Sequence, residues 1–290
     1  MKMGLPAKVF VTLLRLSPAR IQNWMWKWWY QKMAKTNDDS RFRFMNYGFE
    51  DDDGPDLHPS DEINRLFIQL YYMNLRDTEI KGRDILEVGS GRGGGASWVA
   101  RSLAPRSVVG VDFSSEAVIL CNKWYGDQDN LSFVEGDAEK LPFADESFDL
   151  VYNVESSHCY GDMDAFIGQV HRVLRKGGIF CWTDLRDADT MSLLPEMFKS
   201  RGFLIIKSDI IVEQVLRALD IINDAKIEQI SKQVPKSIRR SVETFAGVRG
   251  TPVYEGFVNG SMTYHRHMMQ KIDVELDLDS SKKGARMKVR

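Results

Sequence analysis

Residues 85–98 read "ILEVGSGRGGGASW", and this stretch decides the fold. Its first four residues suit a buried strand, its glycines a tight turn, and "GGASW" the opening of a helix. Gly89, Gly91 and Gly93 stand where the backbone must turn sharply and let a ligand come close. A helix that starts there offers unpaired N–H groups to an electron-rich part of that ligand. The spacing Gly89-x-Gly91-x-x-Gly94 also satisfies the dinucleotide fingerprint, so the turn alone leaves a nicotinamide cofactor open.

Working outward, "DILEVG", "SVVGVDF", "LSFVEGD", "FDLVYNV" and "GIFCWTD" are β-rich runs, and helical stretches separate the early ones. That alternation predicts a parallel sheet with crossover helices. Ser114 and Ser115 offer hydroxyls to cap the helix in "SSEAVILCNKWYG". Upstream, "SDEINRLFIQLYYMNL" puts Ile63, Leu66, Phe67 and Leu70 on one helical face, with Ser60 as the expected cap. Downstream, "FLIIKSDII" predicts a sixth strand, residues 212–231 and 237–245 two helices, and "GSMTYHRHMMQKI" a closing strand.

Three acidic positions sharpen the ligand. Glu87 lies two residues before Gly89, where a carboxylate suits a cationic amino acid portion better than a pyrophosphate. Asp112, at the end of the second run, can accept from both hydroxyls of a ribose. In "GDAEKLPF", Asp137 is placed to accept from an adenine amino group and Ala138 to offer its backbone N–H.

The set "LEVGSGRGG", "VGVDFS", "EGDAEKLPFADESFDLV" and "RVLRKGGIF" closely resembles class I S-adenosylmethionine-dependent methyltransferases over residues 81–184. The resemblance implies an α/β, Rossmann-like seven-stranded sheet with its last strand antiparallel. It also implies S-adenosyl-L-methionine as cofactor, lined by Glu87, Gly89, Gly91, Asp112, Phe113, Asp137, Ala138 and Asn153. "FMNYGFEDDDGPDLHPSDEINR", "VESSHCY" and "FAGVRGTPVYEGFVNGSMTYHRH" are similar to segments of the phthiotriolone and phenolphthiotriolone dimycocerosates O-methyltransferases. That narrower likeness implies a hydrophobic acceptor, a polyketide or lipid hydroxyl, with carbon or nitrogen methylation of a sterol, prenyl or amine acceptor as the rival. A cofactor-binding protein of this fold without turnover is a rival of another class.

Residues 154–160, "VESSHCY", follow the fourth strand, which the resemblance places over the transferring methyl group. An alcohol that takes a methyl group must lose a proton, and a neutral imidazole accepts one near pH 7. His158 is therefore the candidate general base or an orienting donor, and Glu155 either holds its other ring nitrogen or serves as base itself. A metal site fits poorly, because His158 and Cys159 are adjacent and Glu155-x-x-His158 ends a strand rather than lying on a helix. Cys159 as nucleophile fits less well, since methyl transfer needs no covalent intermediate. Tyr47, Tyr160 and Trp28 are expected at the acceptor. His265 and His267 alternate on one side of the closing strand, expected at a sheet edge, with Tyr264 on the other.

A formal charge of −2, from 39 basic and 41 acidic residues, gives no drive towards nucleic acid. Three scattered cysteines fit no disulfide framework and point to a reducing, cytoplasmic setting. Residues 1–60 read as an amphipathic arm and cap, in which Ile21, Trp24, Met25 and Trp28 share a helical face. Such a helix lies in a membrane interface, covers a lipid-like substrate or packs on the domain's own core. The expected methyltransferase domain spans residues 61–273 with a helical lid at 212–262, and the charged residues 274–290 read as a loose tail.

Overall fold

The computed structural model describes residues 43–234, 236 and 239–272. The arm helix with Trp28, the first residues of the 237–245 helix and the 274–290 tail fall outside the described residues.

The strands are β1 (Asp84–Val88), β2 (Ser107–Asp112), β3 (Leu131–Glu135), β4 (Phe148–Val154), β5 (Leu174–Asp187), β6 (Phe203–Ile210) and β7 (Met262–Lys271). They form one seven-stranded sheet in the order β3-β2-β1-β4-β5-β7-β6. β1 to β5 run parallel, and β7 is antiparallel to both β5 and β6.

Alternate residues of each central strand enter two cores, as a pleat of period two requires. On one face, α1 (Arg65–Leu75), α2 (Gly94–Ser102) and α3 (Ser115–Tyr125) bring Ile68, Trp98 and Cys121 onto Ile85, Leu150 and Tyr152. On the other, α4 (Met163–Val173) and α5 (Ala188–Ser200) bring Phe166 and Phe198 onto Leu86, Val151 and Trp182. Parallel strands need such crossovers, and every one leaves its strand's carboxyl end at the same edge of the sheet.

Antiparallel β6 and β7 could be joined by a tight turn. Instead, α6 (Val212–Gln233), α7 (Arg239–Phe245) and α8 (Pro252–Asn259) lie between them. Buried Val215, Leu219 and Phe257 tie this insertion to the core that holds Tyr47 and Phe49. A strap comprising residues 43–50 closes the gap: Phe49 N donates to Leu66 O at 2.9 Å and Glu50 N to Gln214 O at 3.1 Å.

Local chemistry differs from expectation in two places. Ser114 caps α3, accepting from Ala117 N at 3.3 Å. Ser60 does not cap its helix: His58 accepts from the Ser60 N–H, and a 3-10 turn (Pro59–Asn64) precedes α1. His58 lies one residue before Pro59 and holds the extended backbone that a residue before proline favours, so the cap falls there. β7 is not an edge strand, because β6 flanks it, and His267 is therefore 1% exposed and stacked on Trp182.

Candidate active site

The carboxyl ends of β1, β2 and β4 converge on the glycine turn. Gly89, Gly91 and Gly93 all have positive φ, at +77°, +52° and +74°. Gly93 begins α2 in the left-handed region, which an L side chain enters only with strain. Gly95 has a separate cause: the Tyr71 ring occupies the space a Cβ would need. At Gly91, among the described residues, a Cβ would meet only Met45 Sδ at 3.6 Å.

Around this cradle the acidic groups are fixed by the sheet register. Glu87 is 1% exposed, and Tyr152, its partner across β4, donates to Oε2 at 3.2 Å. Burial pushes its carboxyl up to about 8, against the hydroxyls of Tyr71 and Tyr152, which favour the charged form. Asp112 accepts from Gly91 N at 2.8 Å and Ser114 N at 2.9 Å. Burial raises its carboxyl, while those backbone donors oppose the rise. Phe113 is 41% exposed beside it. Asp137 accepts from Glu139 N at 2.9 Å, and Ala138 is buried at the same turn.

Asn153 is fully buried and donates to Val88 O at 2.8 Å, Ser156 Oγ at 2.6 Å and Tyr160 Oη at 3.1 Å. Tyr160, expected at the acceptor, thus lies over Gly89. Three buried atoms around the turn, Glu87 Oε1, Ser90 Oγ and Asn153 Oδ1, have no hydrogen-bond partner among the described residues. Buried polar atoms are ordinarily paired, so this ring of orphans beside an open glycine cradle fits a polar ligand with donors, as S-adenosylmethionine is.

Past Asn153 the chain turns through Glu155 with φ +46°, a left-handed conformation rare for a side chain of this size. Glu155 Oε1 accepts from Tyr47 N at 2.8 Å and from the Tyr264 hydroxyl at 2.6 Å. Burial raises its carboxyl to about 7, although Tyr264 and the Tyr47 N–H pull the other way. Tyr47 also donates its hydroxyl to Phe245 O at 2.7 Å, joining the strap to the lid. Lys226 of α6 donates to Ala246 O at 2.8 Å and stands 5.5 Å from the Tyr47 ring.

Glu155 does not hold His158, which removes the first of the two roles the sequence left open for it. The His158 ring bonds through Nδ1 to Asp184 Oδ1 at 2.7 Å, and its backbone N–H donates to Asp184 Oδ2 at 2.9 Å. Glu155 is turned away by its positive φ, and Asp184, at the carboxyl end of β5, takes the place. Burial pulls the imidazole down, but Cys159 and the fully buried Asp184 outweigh it and hold the ring well above its usual 6.5. Among the described residues no group of three or more His, Cys, Asp or Glu is placed to hold a metal ion. None of their helices is long and apolar enough to cross a membrane.

Comparisons with known proteins agree with this geometry. Residues 86–182 match a methyltransferase-domain family. A phthiotriol/phenolphthiotriol dimycocerosates methyltransferase of Mycobacterium tuberculosis is 34% identical over 249 residues, covering 85% of this chain and 92% of its own. A fatty-acid O-methyltransferase of Mycolicibacterium smegmatis is 34% identical over 83% of this chain and 88% of its own. Among solved structures, the Streptomyces coelicolor geranyl diphosphate C-methyltransferase has a TM-score of 0.60 at 16% identity, covering 83% of this chain and 97% of its own. The [4+2]-cyclase SpnF has a TM-score of 0.65 at 21% identity, covering 83% and 95%.

Fold, cradle and matches together define an S-adenosylmethionine-dependent methyltransferase of Rossmann-like architecture. Within that class, the chain belongs to the family that contains the phthiotriol/phenolphthiotriol dimycocerosates methyltransferases.

Proposed function

We propose that this enzyme methylates a hydroxyl of a hydrophobic small molecule, polyketide- or lipid-like. The observation that carries the reading is His158: an imidazole in the turn just past the carboxyl end of β4, oriented by Asp184, with its side chain 23% exposed. The names of the relatives point the same way, towards lipid-like acceptors.

S-adenosylmethionine, when bound, supplies a sulfonium methyl group open to attack by a nucleophilic oxygen. Glu87, Gly89, Gly91, Asp112, Phe113, Asp137, Ala138 and Asn153 are the residues that would hold it. Glu87 suits its ammonium, and both Asp112 oxygens keep lone pairs for ribose hydroxyls. The strap and lid residues Tyr47, Phe49 and Phe257 share one buried core, which would exclude water on the acceptor side. His158, in its neutral form, takes the acceptor's proton at Nε2. Positioning in this closed site and proton removal share the acceleration, the latter by about 10²–10⁴-fold.

Cofactor binding should be proton-linked. Burial pushes the Glu87 carboxyl up to about 8, and it must ionise to pair with an ammonium. Affinity for S-adenosylhomocysteine is therefore expected to climb from pH 6 towards pH 7.5, by up to about tenfold per unit, and to go flat in Glu87→Gln. Calorimetry across that range checks it; a flat wild-type curve would remove Glu87 from the ammonium site.

The reading as a whole is tested by incubating the enzyme and methyl-labelled S-adenosylmethionine with fractionated lipids and polyketides and locating the label by mass spectrometry. A methyl ether supports the proposal, and a methyl ester, formed on a carboxylate that has no proton to lose, counts against it. A label on carbon or nitrogen, or none on any fraction, sinks it.

A further inference from the structure

Asp184 has no role in the reading above beyond touching His158, yet it is among the most heavily bonded side chains of the site. It is fully buried at the carboxyl end of β5. Its Oδ1 accepts from His158 Nδ1 at 2.7 Å and Leu185 N at 2.8 Å. Its Oδ2 accepts from Ser157 Oγ at 2.6 Å and His158 N at 2.9 Å, with Arg186 Nη1 at 3.1 Å. The Ser157 hydroxyl cannot turn away, because its oxygen already accepts from Trp182 Nε1 and Arg186 Nη2, both at 2.9 Å.

We propose that Asp184, buttressed by Ser157 and Arg186, is the positioning residue of the methyl-transfer site, fixing the His158 ring so that Nδ1 carries the proton and Nε2 faces the acceptor. The inference rests on His158 as proton acceptor. An imidazole offers one acceptor nitrogen when neutral, and the partner of the other nitrogen decides which. A carboxylate that can only accept forces Nδ1–H, and its hold on the backbone N–H fixes the ring's origin as well as its plane. Arg186 neutralises the Asp184 charge on the Oδ2 side, so the burial of that carboxylate does not depend on a charged His158. Glu155, Cys159, Tyr47, Tyr160, Tyr264 and Arg186 are other titratable groups that act on this pair.

Asp184→Asn is a sharp test because three donors crowd Oδ2. The amide oxygen must take that side, which leaves the NH2 facing Nδ1. A donor there drives the ring proton to Nε2 and leaves no lone pair for the acceptor. The kcat is expected to fall by about a hundredfold or more, with the KM for S-adenosylmethionine unchanged. The ascending, acid limb of the pH–rate profile, set by His158, is expected to move to lower pH. In a His158→Ala background the same change should cost less than about twofold, since the two act as one unit. A further large loss there would mean a purely structural role and would overturn the proposal, as would wild-type kcat in Asp184→Asn.

Should Asp184→Asn fail to fold, nitrogen-15 spectra of histidine-labelled wild-type enzyme decide. Above the His158 pKa the proton must be found on Nδ1, and an Nε2–H ring overturns the inference. Wild-type turnover by His158→Ala alone would instead remove the proton-acceptor reading and leave the measured tautomer intact.

Discussion

Replacing His158 by alanine is expected to lower kcat at pH 7 by about a hundredfold and to leave cofactor affinity unchanged. The cofactor cradle is built from β1, β2 and the β4 end up to Asn153, none of which leans on the imidazole ring. The acceptor proton, by contrast, has few destinations. Glu155 already accepts two donors on Oε1, and Tyr264 and Tyr47 carry hydroxyls that burial holds well above their usual 10, so neither tyrosine is a base near neutrality.

Because the His158 pKa is raised, only the fraction of ring deprotonated at a given pH can serve. Wild-type kcat should then climb about tenfold per unit from pH 6 upward until the ring is neutral, and the variant should lose that slope. The same pair sets a stability term of opposite course. The Asp184–His158 attraction is fully present below about pH 6.5, where the unfolded imidazole is also charged, and is lost as pH rises through the raised folded value. Activity and stability therefore move in opposite directions across that window. Stopped-time assays at several pH values, with the acceptor that the labelling experiment finds, read the first; urea midpoints read the second. Undiminished turnover by the variant would rule out His158 as the proton acceptor.

How legible this site is in the sequence depends on how local its causes are. The cradle is legible because three glycines within five residues have few uses other than positive φ and close approach, and the strand ahead of them is unbroken. The parallel strands are legible because burial on both faces demands continuous apolar runs. Residues 163–173 and 188–200 go unassigned by the alternation reading, although Phe166, Ile167, Val170 and Val173 repeat at helical spacing.

Asp184 is not legible at all as a partner of His158. A lone acidic residue closing "GIFCWTD" has no periodicity, and its meeting with His158 follows from the β4–β5 pairing, 26 residues away in the chain. Nor does the sequence near Glu155 announce its left-handed backbone, which turns the carboxylate to Tyr47 and Tyr264 instead of to the imidazole. His267 fails for a related reason: exposure on a strand depends on which strands flank it, and the insertion of β7 between β5 and β6 is a property of the whole sheet.

Gly89→Ala is expected to abolish useful cofactor binding, weakening it by about 30-fold to 4,000-fold. Two costs combine. At φ +77° an alanine pays roughly 1–2 kcal/mol of backbone strain. Its Cβ would also stand 2.6 Å from Ser156 Cβ and 2.8 Å from the Tyr160 hydroxyl, closer than real contacts allow. Moving those groups breaks their bonds to Asn153, whose amide also holds Val88 O, so the end of β4 shifts away from the cradle. Such overpacking costs roughly 1–3 kcal/mol, and each 1.4 kcal/mol, approximately, is tenfold in affinity.

Gly82→Ala separates the two costs. Gly82 has a similar φ of +72° but nothing within 4 Å of an added Cβ, so it carries the strain without the clash. That variant should lose about 1 kcal/mol of stability and bind S-adenosylhomocysteine as the wild type does. Calorimetric titration of both proteins checks the pair. Equal affinities would mean that Ser156 and Tyr160 yield freely, and that the close approach at Gly89 has no part in holding the cofactor.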